Sequence, residues 1–388
     1  MTCLTTKRPG LLAKLMTTAA AGCLVLAGAA PALAQSAPDT SFRVTGFADA
    51  SFVYLDNGIT TSSEFTSMKF TPIFQFQYQD LVLFEAELEI ENAGGETEVA
   101  LEYAQADFFV HPNAVIVVGR FLSPFGQFFE RLHPSWINRM ADTPAGFGHG
   151  GLQPISETGI QVRGGFELDP GTFTYSIALG NGPRVGEEGD TELEAFDGDD
   201  NDNKAISGRF GLLVIPNLEL GASFLTAKVV GLEAEAGPGL IEPTEADLFQ
   251  WGADFAYTGG AWDIRGEYIR ANRDPINTAV EHAADVEEFP TLESTAWYLQ
   301  LAYRLSGTAQ FPALANVEPT LRYGEYDITG NHELAEHSAE NRWDVGVNYW
   351  MTPSLVAKTV LQRREFTARE PDEVTEETRL IVQVAYGF

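Results

Sequence analysis

Cysteine is nearly missing from this 388-residue chain, and its two examples, Cys3 and Cys23, both fall within the first 34 residues. Those residues hold a basic start (Lys7, Arg8, Lys14), the apolar run "CLVLAGAA" and the small residues Ala32 to Ala34. This layout predicts a secretory signal peptide over 1–34, cut after Ala34; the run is too short, and too soon broken by Pro31, for a retained membrane helix. The remainder, 35–388, then has no thiol, which excludes disulfides and cysteine chemistry. "AAGC" around Cys23 faintly resembles a lipoprotein acylation site, but the apolar run follows that cysteine instead of preceding it.

Positive charge is the second scarcity. Lys and Arg number 24 against 55 Asp and Glu, for a net charge of −31, and loss of the basic leader deepens the imbalance. Binding to nucleic acid or anionic lipid through a general positive field is excluded. At 44% apolar residues the chain is not a disordered acidic polymer either. Long apolar runs are missing too: beyond the leader none reaches 18 residues, so no spanning helix is expected. Helical periodicity is scarce. None of this excludes a membrane barrel, whose strands need only about 9–11 residues and alternate their faces.

Alternation is what the chain has in abundance. In the closing "LIVQVAYGF", Leu380, Val382, Val384, Tyr386 and Phe388 share one side of an extended chain, and Arg379, Ile381, Gln383, Ala385 and Gly387 the other. A soluble sandwich strand reads the same way, so the remaining stretches must decide. Sixteen such stretches run from 41–55 and 63–79, through 114–124 and 294–307, to 354–368 and 378–388. Short turns such as "QD", "HPN", "DPG", "IPN", "TGG" and "TPS" alternate with longer polar connections such as 125–156, 183–203 and 229–246. Only 308–316 is longer than a short turn should be. Aromatics gather on one face, as with Phe249, Trp251, Phe255 and Tyr257, which suits interfacial girdles.

The expected fold is all-β: a 16-stranded antiparallel transmembrane β-barrel with short periplasmic turns and both termini on the periplasmic side. No separate domain precedes it to act as a plug. A ring of this size can hold a water-filled lumen. Taking the polar face of each strand as inward, the lining includes Arg120, Arg163, Arg304, Arg322, Arg342, Lys358, Arg364 and Arg379 against Glu85, Glu87, Glu89 and Glu102. Inward acids and bases nearly balance, which puts most of the acidity in the loops, where solvation and contact with lipopolysaccharide is the simpler role and an ion-selecting vestibule the other. The acids cluster on strands 3 and 4 and the bases on strands 12 to 16. Opposed walls of that kind set a transverse field across a pore, unless the arginines pair with nearby acids.

The segment 125–156 is too long and too aromatic for an exposed tip, with Phe125, Phe128, Phe129, Trp136 and Phe147 among its bends. It reads as the third external loop folded inward, with Glu130, Arg131, His133, Arg139 and Asp142 as the constriction; the alternative is a loop packed over the mouth or against a neighbouring subunit.

"VVGRFLSPFGQFFERLHPSWINR" resembles the Gly-Arg/Lys-Phe…Pro-Phe-Gly segment of the phosphate-selective porin family of Gram-negative outer membranes. "WGADFAYTGGAWDIRGEYIR", "WDVGVNYWMTPSLVAKTVLQRREF" and "TRLIVQVAYGF" are similar to that family's paired and closing strands. The resemblance implies a trimeric, passive channel in a Gram-negative outer membrane, a terminal Phe388 read by the assembly machinery, and, in phosphate-preferring members, an arginine ladder with a constriction lysine cluster. This sequence departs there, since 125–156 contains no lysine.

The functional expectation is an outer-membrane porin, a homotrimer passing small hydrophilic solutes or ions, with outer-membrane lipid and lipopolysaccharide as partners, no nucleic acid, no cofactor, no metal and no catalysis. An anion- or phosphate-selective porin is the alternative, and a plugged structural or enzymatic barrel a further one. "HELAEH" (332–337) spaces its histidines five apart, not the four a zincin helix needs. "DGDDNDNK" (197–204) has the acid density of a calcium loop without its turn glycine or distal Glu, leaving adventitious Ca²⁺ against a solvated hairpin tip.

Overall fold

The computed structural model describes residues 40–93, 96–148, 151–185, 191–192, 195–196, 201–232, 242–279, 286–329, 339–367 and 374–388. The expected signal peptide and "HELAEH" lie outside them, as does half of "DGDDNDNK".

Sixteen long strands form the wall: β1 (Thr40–Asp56), β2 (Thr61–Tyr78), β3 (Val82–Ala93), β4 (Glu96–His111), β5 (Ala114–Leu122), β6 (Ser156–Leu168), β7 (Gly171–Gly180) and β8 (Ala205–Ile215). The second half comprises β9 (Leu218–Val230), β10 (Glu245–Gly259), β11 (Trp262–Arg273), β12 (Leu292–Tyr303), β13 (Val317–Thr329), β14 (Ala339–Thr352), β15 (Leu355–Phe366) and β16 (Glu376–Gly387). Each pairs antiparallel with its sequence neighbours, and β1 pairs with β16 from Phe47↔Gly387 to Asp56↔Thr378. The barrel is therefore closed and no edge is left to aggregate or to lie unpaired in lipid.

The alternation read in the last strand is the alternation of the wall. Leu380, Val382, Val384 and Tyr386 are exposed, whereas Ile381, Gln383 and Ala385 are buried. On β14, Trp343, Val345, Val347 and Tyr349 are exposed while Arg342, Asp344 and Asn348 are buried. This is the reverse of a soluble protein: the exposed face is apolar and the buried face polar, as expected where lipid is the outer solvent. The seam is held by reciprocal backbone bonds between Gly46 and Phe388 at 3.0 and 2.9 Å, with Phe388 stacked on Phe70.

Short turns and longer connections alternate as the sequence predicts, with two adjustments: β3 runs to Ala93 and β4 starts at Glu96, so the longer connection expected around "NAGGETE" shrinks to two residues. β12 ends at Tyr303 instead of 307, so the connection 304–316 is longer than expected and contains a short helical turn, Pro312–Asn316. Pro312 suits the start of that turn, where no hydrogen bond is asked of its nitrogen. Above the wall are two small hairpins, Arg184–Val185 with Thr191–Glu192 and Ile276–Thr278 with Glu287–Phe289. A further pair, Ala195–Phe196, runs parallel to the first residues of β6.

Candidate functional site

The segment between β5 and β6 holds the largest group of buried apolar side chains outside the strands. Phe125, Phe128, Phe129, Leu132, Phe147, Leu152 and Ile155 form one cluster with Leu225 and Val229 of β9, Leu248 of β10, Ile269 of β11 and Tyr298 of β12. The aromatic rings meet edge to face, Phe147 on Tyr298 at 5.1 Å and Phe128 on Phe129 at 5.8 Å, the arrangement that the ring quadrupoles favour. On the inner face of β9–β12 an apolar patch of Leu225, Val229, Leu248, Ile269 and Tyr298 meets these side chains.

Polar anchors continue the attachment. The Gly126 N–H donates to Ser223 Oγ at 2.9 Å, and the Gln127 N–H reaches both oxygens of the buried Glu267 at 3.3 Å. Gly126 has φ +73, and a Cβ there would run into the Glu267 carboxylate and the Gln153 amide, so only glycine fits this close approach. Arg131 pairs with Glu219 at 2.7 Å. The His133 ring bonds Glu87 through Nε2 at 3.3 Å and the Phe129 carbonyl through Nδ1. Burial works against charge on that imidazole, but Glu87 and the Phe129 carbonyl outweigh it and hold His133 above its ordinary value.

Further along, Arg139 reaches Glu318 at 3.3 Å and Asp263 at 3.5 Å, and its guanidinium lies 5.0 Å from the Trp350 ring centroid. Asp142 accepts from Arg322 at 2.8 Å and Gln362 at 2.8 Å, with Arg342 at 3.5 Å. Burial opposes its ionisation, yet Arg342 and Arg322 prevail and keep the carboxyl below the usual range. Lys358 Nζ donates to the Ser135 and Met140 carbonyls, and Arg342 to the Thr143 carbonyl at 2.9 Å. Trp136 reaches Gly387, at the end of β16. The segment thus leaves one end of the wall at Leu122, touches the other end, and returns at Ser156.

The five residues expected to form a constriction do not converge. Arg131 meets β9 and pairs with its neighbour Glu130, His133 meets β3, Arg139 meets β11, β13 and β14, and Asp142 meets β13 to β15. Arg131, His133, Arg139 and Asp142 attach the segment to different walls along its course.

Several of the expected lining residues also require correction. Arg322, Arg342 and Lys358 are buried, at 1%, 8% and 1% exposure, beneath the carbonyls and carboxylate of the segment, so they do not face water as a basic wall. Arg364 pairs with Glu340 at 2.8 Å and Arg379 with Glu377 at 2.6 Å. Arg304 follows the end of β12 and stacks on Trp350, 4.9 Å from the ring centroid. Arg120 shares a side of β5 with the exposed Val118, opposite the side of the buried Val117 and Phe121, and donates to Ser156 Oγ at 3.0 Å. A polar residue near a strand end can face outward at the interface, which the simple rule of polar face inward overlooked. Glu102 occupies a bulge, for Glu87 pairs with Tyr103 and Leu88 with Leu101.

Glu85, Glu87 and Glu89 do share the inner side of β3. Gln75 donates to Glu85 at 2.6 Å, and Lys69 pairs with Glu89 at 2.5 Å. On β6, Arg163 pairs with Asp107 of β4 at 2.5 Å. Sequence reasoning missed Gly126, Gln127, Ser135 and Gln153 because their importance lies in backbone approach and amide hydrogen bonds, which leave no spacing signature.

A closed sixteen-stranded barrel with an apolar exterior and a polar interior defines the class: an outer-membrane channel of the porin type. More particularly, residues 240–388 match the family model described as phosphate-selective porin O and P; that span contains the similar paired and closing strands but not the segment after β5. The anion-selective porin of Comamonas acidovorans is similar over 90% of this chain and 100% of its own, at 12% identity and a TM-score of 0.60. The outer-membrane channel DcaP of Acinetobacter baumannii is similar over 91% and 99%, at 13% identity and 0.56. OmpT of Vibrio cholerae, in its trimer form, is similar over 90% and 99%, at 11% identity and 0.55. No curated protein matches.

Proposed function

We propose that this protein is a passive porin for small hydrophilic solutes or ions, in which the segment 123–155 is the third external loop folded into the barrel. The observation that carries this reading is an asymmetry of burial. Away from the strand ends the inner faces of β8–β16 are buried, as at Arg209, Gln250, Glu267, Tyr298, Arg322 and Lys358, whereas on β1–β3 Asp49, Ser51, Lys69, Gln75, Glu85 and Glu89 keep partial exposure. A water path along β1–β3, displaced from the barrel axis by the loop, follows. The chain assembles as a homotrimer, sits among outer-membrane lipid and lipopolysaccharide, and catalyses no reaction.

Phosphate specificity is not the favoured reading. Arg131 and Arg139, the basic residues of the segment other than histidine, are both engaged by carboxylates. Single-channel recording of the purified protein in a planar bilayer tests the proposal. Stepwise conductance, with triplet steps for the trimer, is the expected result; a folded barrel that conducts nothing would overturn it.

A further inference from the structure

The end of the barrel that carries the short turns holds a cavity of about 630 Å³ between the wall and the segment after β5. That is the size of a site for a small molecule, roughly 300–1,000 Å³. The segment contributes Trp136, Ile137 and Arg139, β14 contributes Trp350 and Met351, and the connection after β12 contributes Arg304. The charged side chains in this lining are both arginines.

Arg139 and Arg304 approach the Trp350 ring to 5.0 and 4.9 Å, which holds each guanidinium against a flat apolar surface. They share one carboxylate, for Glu318 stands 3.3 Å from Arg139 Nε and 3.4 Å from Arg304 Nε. Glu318 also accepts from Trp350 Nε1 at 3.2 Å and from Asn348 Nδ2 at 3.1 Å, so its charge is divided among four donors. Asp263 lies 3.5 Å from Arg139 Nη2 but is held by two bonds from Arg265, at 2.6 and 3.0 Å. Farther off, Lys358 acts on Asp49, and Arg131 and Arg209 hold Glu219. Position separates the two signs of charge: the side chains of Arg139 and Arg304 are 22% and 34% exposed, that of Glu318 only 5%. A solute entering the cavity meets guanidinium edges and apolar side chains, with the balancing carboxylates behind them.

A guanidinium edge takes a carboxylate through two parallel N–H bonds, and apolar side walls favour an anion that carries an apolar body. We infer that this cavity binds small monocarboxylates with an apolar body, Arg304 and Arg139 taking the carboxylate and Trp136, Ile137 and Met351 the body. The shared Glu318 keeps the attraction modest, as a channel requires, since a solute must be held well enough to enter and weakly enough to leave. The site is built from two parts: the wall brings Arg304 and Trp350, and the segment brings Arg139 and Trp136. The inference goes beyond the passive-channel reading and is testable without current.

The test is saturation-transfer NMR of benzoate with the purified protein folded in deuterated detergent, a measurement suited to weak binding. The expected signal saturates at millimolar benzoate and falls with added salt. It stays small for benzyl alcohol, which lacks the charge, and for acetate, which lacks the body. Arg304→Gln should weaken binding about ten-fold, the scale of one charged hydrogen bond; Arg304→Lys, which keeps the charge but not the fork, should fall between. Arg304 lies in a connection outside the strands, and the heat-dependent gel shift checks that both variants fold. No saturable signal from the wild type, or equal binding by the folded Arg304→Gln variant, would overturn the site. Inorganic phosphate displacing benzoate at a lower concentration than benzoate itself binds would overturn the monocarboxylate assignment. Saturable binding to a barrel that conducts nothing would sink the passive channel and leave this site standing.

Discussion

Arg322 on β13 donates from Nη2 to Asp142 Oδ1 at 2.8 Å across 180 residues of sequence, while its Nε holds Asp344 Oδ2 at 2.7 Å. One guanidinium thus ties the loop to the wall and satisfies the wall's own carboxylate. Arg322→Met would leave Asp142 and Asp344 short of their cation, a change of the kind that costs about 3–5 kcal/mol in a buried pair. The expected outcome is a lower thermal unfolding midpoint and a noisier, larger single-channel current, read by calorimetry and bilayer recording.

The loop should loosen on either side of a middle pH range. His133 titrates above its ordinary value, so its tie to Glu87 contributes fully below about 6.5 and is lost as pH rises through the raised value. Asp142 titrates below its ordinary value, so its tie to Arg342 and Arg322 contributes above about 3.9 and is lost as pH falls through the lowered one. Current noise should therefore grow as pH rises through the raised His133 value and again in strong acid. His133→Gln should remove the first change and Asp142→Asn the acid one; noise independent of pH would refute both assignments.

Gly126 lies where the loop leaves the wall, at a positive φ and against the Glu267 carboxylate. Gly126→Ala adds one carbon with no room for it and a backbone conformation that alanine resists. We expect the Gln127 bond to Glu267 to break and the loop entrance to shift, so that limited proteolysis cleaves between 123 and 155 faster than in the wild type. Equal cleavage rates would show that the entrance adapts.

Trp136 packs beside Trp350, Val356 and Ala385 and comes against Gly387. Its ring lies against the inner wall near the end of β16. Trp136→Ala should raise conductance while leaving barrel assembly intact, because none of the wall hydrogen bonds passes through that side chain; the check is conductance alongside the heat-dependent gel shift of the folded barrel. An unaltered conductance would place the narrowest point elsewhere along the loop.

Much of the wall was legible in the sequence. Strand positions and face assignments follow from a period of two, and a one-residue slip would reverse every side chain; that is why Leu380 to Phe388 could be read before any contact was known. The bulge at Glu102 defeated that reading, since an extra residue interrupts the period without changing composition. Arg120 defeated it because a charged residue near the interface can face outward. For the site the sequence offered residue types but not neighbours: Glu130, Arg131, His133, Arg139 and Asp142 belong to one segment, yet meet different strands.

By itself the sequence determined the closed antiparallel barrel, the lipid-suited exterior, the alternating lengths of most connections and the unusual character of 125–156, because each depends on local periodicity or composition. The tertiary structure decided where that segment lies against the wall, which charges it covers and which keep contact with water. Those outcomes depend on pairs such as Asp142 with Arg322 and Ser135 with Lys358, brought together by barrel closure across most of the chain. Alternation fixes which face a side chain takes; only closure of the barrel fixes what stands opposite it.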